Sequence, residues 1–125
     1  MKYELRSTKQ YDKWLAGIKD RQARNRILRR IDSMVIGSFG DHKTISANLF
    51  ELRMFFSPGF RVYYTIQGRE IIFLLAGGDK SSQKKDIAKA RELLQQLEIY
   101  KLWPLKQNLL MWLNIWKPRK ISRHS

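Results

Sequence analysis

Two stretches hold residue types that can do chemistry on an anion. In "FELRMFFSPGFRVYYTI", residues 50–66, Arg53 and Arg61 flank a Ser-Pro-Gly turn, and Tyr63 follows two positions later. In "AGGDKSSQKK", residues 76–85, Lys80 follows a glycine pair, and Gln83 and Lys84 follow two serines. A guanidinium fork matches a phosphate bidentately. A tyrosine can stack on a base or hydrogen-bond to a phosphate. A glycine pair lets backbone and substrate approach closely, and helix N-terminal amides favour an anion. The set Arg53, Arg61, Lys80, Gln83 and Lys84 is therefore a candidate RNA-binding site. Arg61, Arg53, Lys80 and Tyr63 are its candidate catalytic residues. Each has an ordinary alternative: arginines are common on exposed sheet faces, and "GGDK" also suits a plain turn into a helix.

Cleaving RNA needs no metal when the ribose 2′-hydroxyl is the nucleophile. The protein must then align that hydroxyl, neutralise the phosphorane and assist proton transfer. Arg53 and Arg61 suit charge stabilisation. Lys80, Tyr63, Glu51 and Asp79 are the candidates for proton transfer. With no cysteine and only His42 and His124, a thiolate or histidine metal site or a Ser-His triad has almost no material. Neither a metal nor a cofactor is expected.

The elements that must carry these residues follow from spacing. Residues 50–66 read as a β-hairpin closed by the three-residue loop Ser57-Pro58-Gly59, which pairs Phe56 with Phe60 and Phe55 with Arg61. Alternation then puts Phe50, Leu52, Met54, Phe56, Phe60, Val62, Tyr64 and Ile66 on one face. Glu51, Arg53, Phe55, Arg61, Tyr63 and Thr65 fall on the other, expected to be half-open, with Tyr63 opposite Arg53. Upstream, "KYELR" reads as a strand. "STKQ" offers a Ser7–Gln10 capping box for a helix with Tyr11, Trp14, Leu15 and Ile18 inside. Asp20 caps a second helix with Ala23, Ile27, Ile31, Met34 and Val35 inside, its five arginines on the remaining surface, and Gly37 as its stop. "SFGDHKTISAN" reads as a loop, and "EIIFLLAGG" as a central strand. Ser81 or Ser82 caps a last helix through about Leu97, with Ile87, Ala90, Leu94 and Leu97 inside. The order is β-α-α-β-β-β-α, an α+β domain with a small antiparallel sheet packed by helices on one face.

A chain of 125 residues suits one domain. Its net charge is +14, with a pI near 10.4. That implies a polyanionic partner, since solubility alone needs a charge of only about 2–8. Residues 1–98 carry 19 Lys and Arg against 11 Asp and Glu, and residues 99–125 carry six basic residues and no acid. The start lacks a signal-peptide pattern, and no run approaches the ~20 apolar residues of a membrane span. A soluble, cytoplasmic protein is expected. Residues 99–125 stand apart as a basic extension with three of the four tryptophans. Pro104 can open a helix there with Leu105, Leu109, Trp112 (or Leu113) and Trp116 on one side. Such a segment suits a membrane surface, a partner, or an exposed sheet edge of the same domain.

The stretches "WLAGIKDRQARNRILRRI", "GSFGDHKTI", "LFELRMFFSPGFRVYY" and "LLAGGDKSSQKKDIAKA" resemble the HigB-like addiction module killer toxins of the RelE/ParE superfamily, in order, from about residue 2 to residue 97. The resemblance implies a RelE-like fold over residues 1–98 and a cognate HigA-like helix-turn-helix antitoxin. The RelE branch cuts mRNA in the ribosomal A site, whereas the ParE branch inhibits DNA gyrase. In the family the phosphate-contacting arginine follows the Gly-aromatic pair, which makes it Arg61; Arg53 and Lys80 match the other basic positions. The Tyr or His that many RelE-like enzymes carry near the C-terminus has no match here, Lys85 or Ile87 standing about there. The resemblance thus implies a ribosome-dependent mRNA endoribonuclease toxin. A gyrase inhibitor and a non-catalytic nucleic-acid-binding protein are the alternatives.

Overall fold

The computed structural model describes residues 2–100 and 116–118. It runs β1 (Glu4–Thr8), α1 (Lys9–Ala16), α2 (Arg21–Val35), β2 (His42–Ser46), β3 (Leu49–Arg53), β4 (Arg61–Gln67), β5 (Ile71–Gly78), a 3₁₀ turn (Lys80–Ser82), α3 (Gln83–Tyr100) and β6 (Trp116–Pro118). The strands form one sheet in the order β2-β3-β4-β5-β1-β6. The α+β order expected from sequence is present, with β2 added inside the stretch expected to be a loop. The sheet is mixed and not wholly antiparallel, because β1 runs parallel beside β5. β1 is joined to β5 through α1, α2 and the antiparallel run β2–β4, a long connection of the kind parallel neighbours need.

Local capping sets the first helices. Thr8, not Ser7, caps α1, its hydroxyl accepting from the Tyr11 amide, while Ser7 donates to Asp12. Asp20 caps α2 as expected, accepting from the amides of Gln22 and Ala23. Past its end, Gly37 has φ +87°, a left-handed position that a Cβ would disfavour.

Helices cover both faces of the sheet, which corrects the one-sided expectation. On the first face, Tyr11, Leu15, Ile27, Ile31 and Met34 pack on Leu52, Met54, Phe60, Val62 and Tyr64. Fully burying an Ile or Met side chain contributes about 1.5–3 kcal/mol. On the second, Ala90, Leu93, Leu94 and Leu97 of α3 pack on Leu49, Tyr63, Phe73 and Leu75. The half-open face is therefore closed: Glu51, Tyr63 and Thr65 are fully buried, and Arg61 nearly so. α3 closes it because its apolar stripe needs a partner and the first face is already taken by α1 and α2.

Within its paired strands the hairpin has the expected face sets and a different register. Phe55, beyond the end of β3, instead turns toward α2 and away from the face of Tyr63. Arg53 pairs with Arg61, Glu51 with Tyr63, and Phe50 with Tyr64. The pairing is two residues away from that of a three-residue loop, and an even shift leaves every side chain on its original face. The connection is longer, closed outside by the Met54 amide on the Phe60 carbonyl and inside by the Gly59 amide on the Phe56 carbonyl. The Ser57–Pro58 peptide is cis, and Gly59 takes φ +84°.

The helix expected from Pro104 lies outside the described residues. Trp116, expected on its apolar side, falls in β6, which pairs antiparallel with β1 at that edge of the sheet. No helix among the described residues is long and apolar enough to cross a membrane.

Candidate nucleic-acid interface

The two hairpin arginines, expected to be staggered, stand directly opposite each other. Arg61 is also opposite Gly78, so Arg53, Arg61 and Gly78 form one row across β3, β4 and β5. Opposed residues share a face, and two like charges there repel unless each is anchored. Arg53 is anchored by Asp41, its Nη2 lying 3.0 Å from Oδ1, with both side chains about one-third exposed. Arg61 turns inward. Its Nη1 donates to the carbonyls of Gly59 and Phe60 at 3.2 Å and of Met54 at 3.5 Å. Its Nε lies 4.0 Å from Glu51 Oε2 and has no hydrogen-bond partner. Arg61 thus ties the hairpin loop to the sheet, and 9% of its side chain reaches solvent.

Behind it lies a buried polar cluster. Glu51 Oε2 accepts from Gln83 Nε2 at 2.7 Å, so Gln83 clamps α3 to β3 and does not point outward as expected. Tyr63 stands opposite Glu51, not Arg53, and is fully buried. Burial first, and then the Glu51 charge, push its phenol pKa far above the usual tyrosine value. A phenol held neutral beneath α3 can neither stack on a base nor take a proton from substrate. Tyr63 is therefore a core residue, and the expectation of a catalytic contact is corrected. Glu51 is removed from substrate by the same burial.

The glycine pair also has a structural cause. Gly77 and Gly78 end β5, and neighbouring side chains fill the space they leave. A Cβ on Gly77 would meet the Trp14 ring, and one on Gly78 would meet the Asp86 carboxylate. Each glycine admits a neighbour's side chain, one on either face of the sheet. Asp79 then opens the helical segment. Hydrogen bonds from Ser81, joined by the backbone of Ser81 and Ser82, hold its carboxyl below the usual carboxylate range. Its Oδ1 accepts from the Ser81 amide at 2.8 Å, so the chain's own carboxylate occupies the amides expected to greet a phosphate.

Lys80 and Lys84 are exposed and make no ion pair among the described residues. Lys80 lies close to the loop, since a Cβ on Gly59 would touch Lys80 Cβ at 3.5 Å and Arg61 Nη1 at 3.7 Å. Arg53, Arg61 and Lys80 accordingly converge at one end of the sheet, and Lys80 with Arg53 supplies its solvent-facing charge. Among the described residues no group of three His, Asp or Glu could hold a metal ion.

Sequence reasoning missed Arg30, grouped there with the solvated arginines of α2. Its Nη1 donates to the Arg53 carbonyl at 2.8 Å, and its Nη2 to those of Phe39 and Asp41 at 3.1 and 3.2 Å. Gly40, at φ +66°, makes the room: a Cβ there would come within 2.9 Å of Arg30 Nη2. The "FGD" tripeptide, residues 39–41, was the available signal, a turn sequence needing a donor for its carbonyls. Asp41, the anchor of Arg53, belongs to the same turn.

This sheet, with two helices on one face and one on the other, is a RelE-like fold. A free-state mutant of the E. coli toxin RelE matches it with a TM-score of 0.57 at 15% identity, covering 74% of this chain and 97% of that one. Residues 8–95 match the family of phage-derived Gp49-like proteins. The chain belongs to that family. An uncharacterized protein of Haemophilus influenzae is 40% identical over 97 residues, 78% of this chain and 98% of the relative.

Proposed function

We propose that this protein is the HigB-like toxin of a bacterial type II toxin–antitoxin module, cutting mRNA on the translating ribosome. The observation that carries the reading is the convergence of Arg53, Arg61 and Lys80 at one sheet end, on a fold shared with a protein named as the toxin RelE. The net charge of +14 supplies the long-range attraction to RNA.

In the reaction, the 2′-oxygen adjoining the scissile phosphate attacks phosphorus and loses its proton. The bond to the 5′-oxygen breaks, and that oxygen takes up a proton. The products are a 2′,3′-cyclic phosphate and a 5′-hydroxyl. Lys80 and Arg53 meet the charge that develops on the non-bridging oxygens. Arg61 contributes its field from beneath, and its Nη1 must leave the loop carbonyls to touch phosphate. Lys80 is the one proton-transfer candidate standing free at the surface. A set so weak in acid–base groups suits an enzyme whose substrate is aligned by the ribosome. A HigA-like helix-turn-helix antitoxin silences the toxin by covering this end.

A second reading draws on the burial of Arg61 and Tyr63. In a ParE-like inhibitor of gyrase, that face need not reach RNA at all.

Primer extension on a reporter mRNA after induced expression tests the proposal. Cleavage within translated codons, abolished in Lys80→Ala and Arg53→Ala variants that keep the wild-type circular dichroism spectrum, is the expected result. Growth arrest with an intact message would overturn it in favour of gyrase.

A further inference from the structure

A second feature lies on the opposite face from Tyr63, where α2 meets the hairpin loop. A cleft of about 370 Å³ opens there, lined by Arg26, Arg29, Arg30, Ser33, Phe55 and Phe56, with no carboxylate in its wall. Phe55 is 73% exposed, an unusual state for a phenylalanine beside a core. The Arg26 guanidinium lies over the Phe56 ring, 3.8 Å from its centroid. The Arg53 guanidinium stands 5.6 Å over Phe55, which links the cleft to the cationic row already described. Arg30 is committed to the backbone carbonyls, whereas Arg26 and Arg29 are exposed and make no ion pair among the described residues.

An aromatic ring open to solvent, a stacked guanidinium and a further free arginine are the parts that hold an unpaired nucleotide. The base stacks on the ring, and the guanidinium groups take the flanking phosphates. A cleft of this volume matches one nucleotide. An acidic protein segment, the other ligand that guanidinium groups attract, would bind through several residues along a groove. We infer that this cleft is a second RNA contact, seating a single unpaired nucleotide with its base on Phe55 and its phosphates on Arg26 and Arg29. Its occupant is RNA only in so far as RNA is what the protein acts on, so the inference rests on the function proposed above.

The test uses the isolated full chain without ribosomes, which separates it from the cleavage reading. Fluorescence anisotropy measures binding of a labelled single-stranded hexanucleotide RNA and of the same strand with abasic positions. Phe55 is open to solvent, so Phe55→Ala leaves the core unchanged. Loss of one stacked base should weaken binding of the intact strand by roughly ten- to a hundredfold. The abasic strand should bind wild type as weakly as the intact strand binds Phe55→Ala. Arg26→Gln with Arg29→Gln should also flatten the salt dependence. Equal binding of wild type and Phe55→Ala, or equal binding of the two strands, would overturn the inference. So would an acidic peptide that binds wild type tightly and Phe55→Ala weakly while the RNA does not discriminate. Failure here with ribosomal mRNA cleavage intact would remove the cleft and leave the toxin reading standing.

Discussion

Arg53 and Arg61 form a directly opposed pair on β3 and β4, and each guanidinium is turned to a different anchor. Arg53 reaches Asp41 near the surface, while Arg61 reaches three loop carbonyls within the hairpin. Two cations that would repel in the row are thus separated into an outer, solvent-facing group and an inner, structural one. Under the proposed function, Arg53 would meet an anion as it stands, and Arg61 only after its Nη1 leaves the loop carbonyls.

The Asp41 anchor competes with any phosphate for Arg53. An ion pair one-third exposed is worth under about 1 kcal/mol. Asp41→Asn should therefore leave the urea midpoint nearly unchanged and tighten binding to single-stranded RNA by about two- to fivefold, read by filter binding at fixed salt.

Glu51 is a buried carboxylate held by Gln83 and faced by Arg61. Removing one member of a buried polar pair leaves the others without compensation, at about 3–5 kcal/mol. Glu51→Ala should lower the unfolding free energy by about that amount in urea titrations. Gln83→Ala should cost less, about 1–3 kcal/mol, because one hydrogen bond to the carboxylate is lost.

Gly77→Ala should be strongly destabilising although alanine is a small residue. Its methyl group would collide with the Trp14 ring, and overpacking a well-filled site costs about 1–3 kcal/mol. The double variant with Trp14→Leu should recover part of the loss, as a thermal melt would show.

Tyr63 and Tyr64 both have folded-state pKa values raised above the ordinary tyrosine value, chiefly by burial. The folded chain therefore holds these protons where the unfolded chain releases them. Stability from this source is complete below the unfolded value of about 10 and falls as pH rises past it, by about 1.4 kcal/mol per pH unit for each phenol. Urea titrations between pH 8 and 11 should show the decline, and Tyr63→Phe should reduce its slope by about half.

What the sequence carried and what it withheld are separable in the hairpin. Period-two alternation identified the two face sets within the paired strands, because a register shift of two leaves them unchanged. It failed at Phe55, which lies past the end of β3. The shift itself depended on the Met54–Phe60 closure, which no residue type in the loop announced. The second face read as open since Glu51, Arg53 and Thr65 are polar; only the packing of Leu93 and Leu94 from α3 shows that two of these three are core. In the candidate site, Lys80 is exposed where the sequence placed a basic contact. Gln83 reads locally as a helix-start polar residue because its buried partner Glu51 is 32 residues away. Tyr63 reads as accessible because the α3 residues that bury it lie far along the chain. Arg30 is hidden likewise among the five arginines of one helix, where Arg24 bonds a carbonyl nearby at Ile18 and Arg30 reaches those of Phe39, Asp41 and Arg53.

Under the proposed function, this cationic sheet end cuts RNA on the ribosome. The most direct measurement incubates the purified chain with a defined message, alone and with translating ribosomes, and maps 5′ ends by primer extension. Cuts within codons should appear only when ribosomes translate the message, and Lys80→Ala should make none. An uncut message in the presence of translating ribosomes, or cutting that is equal with and without them, would contradict it.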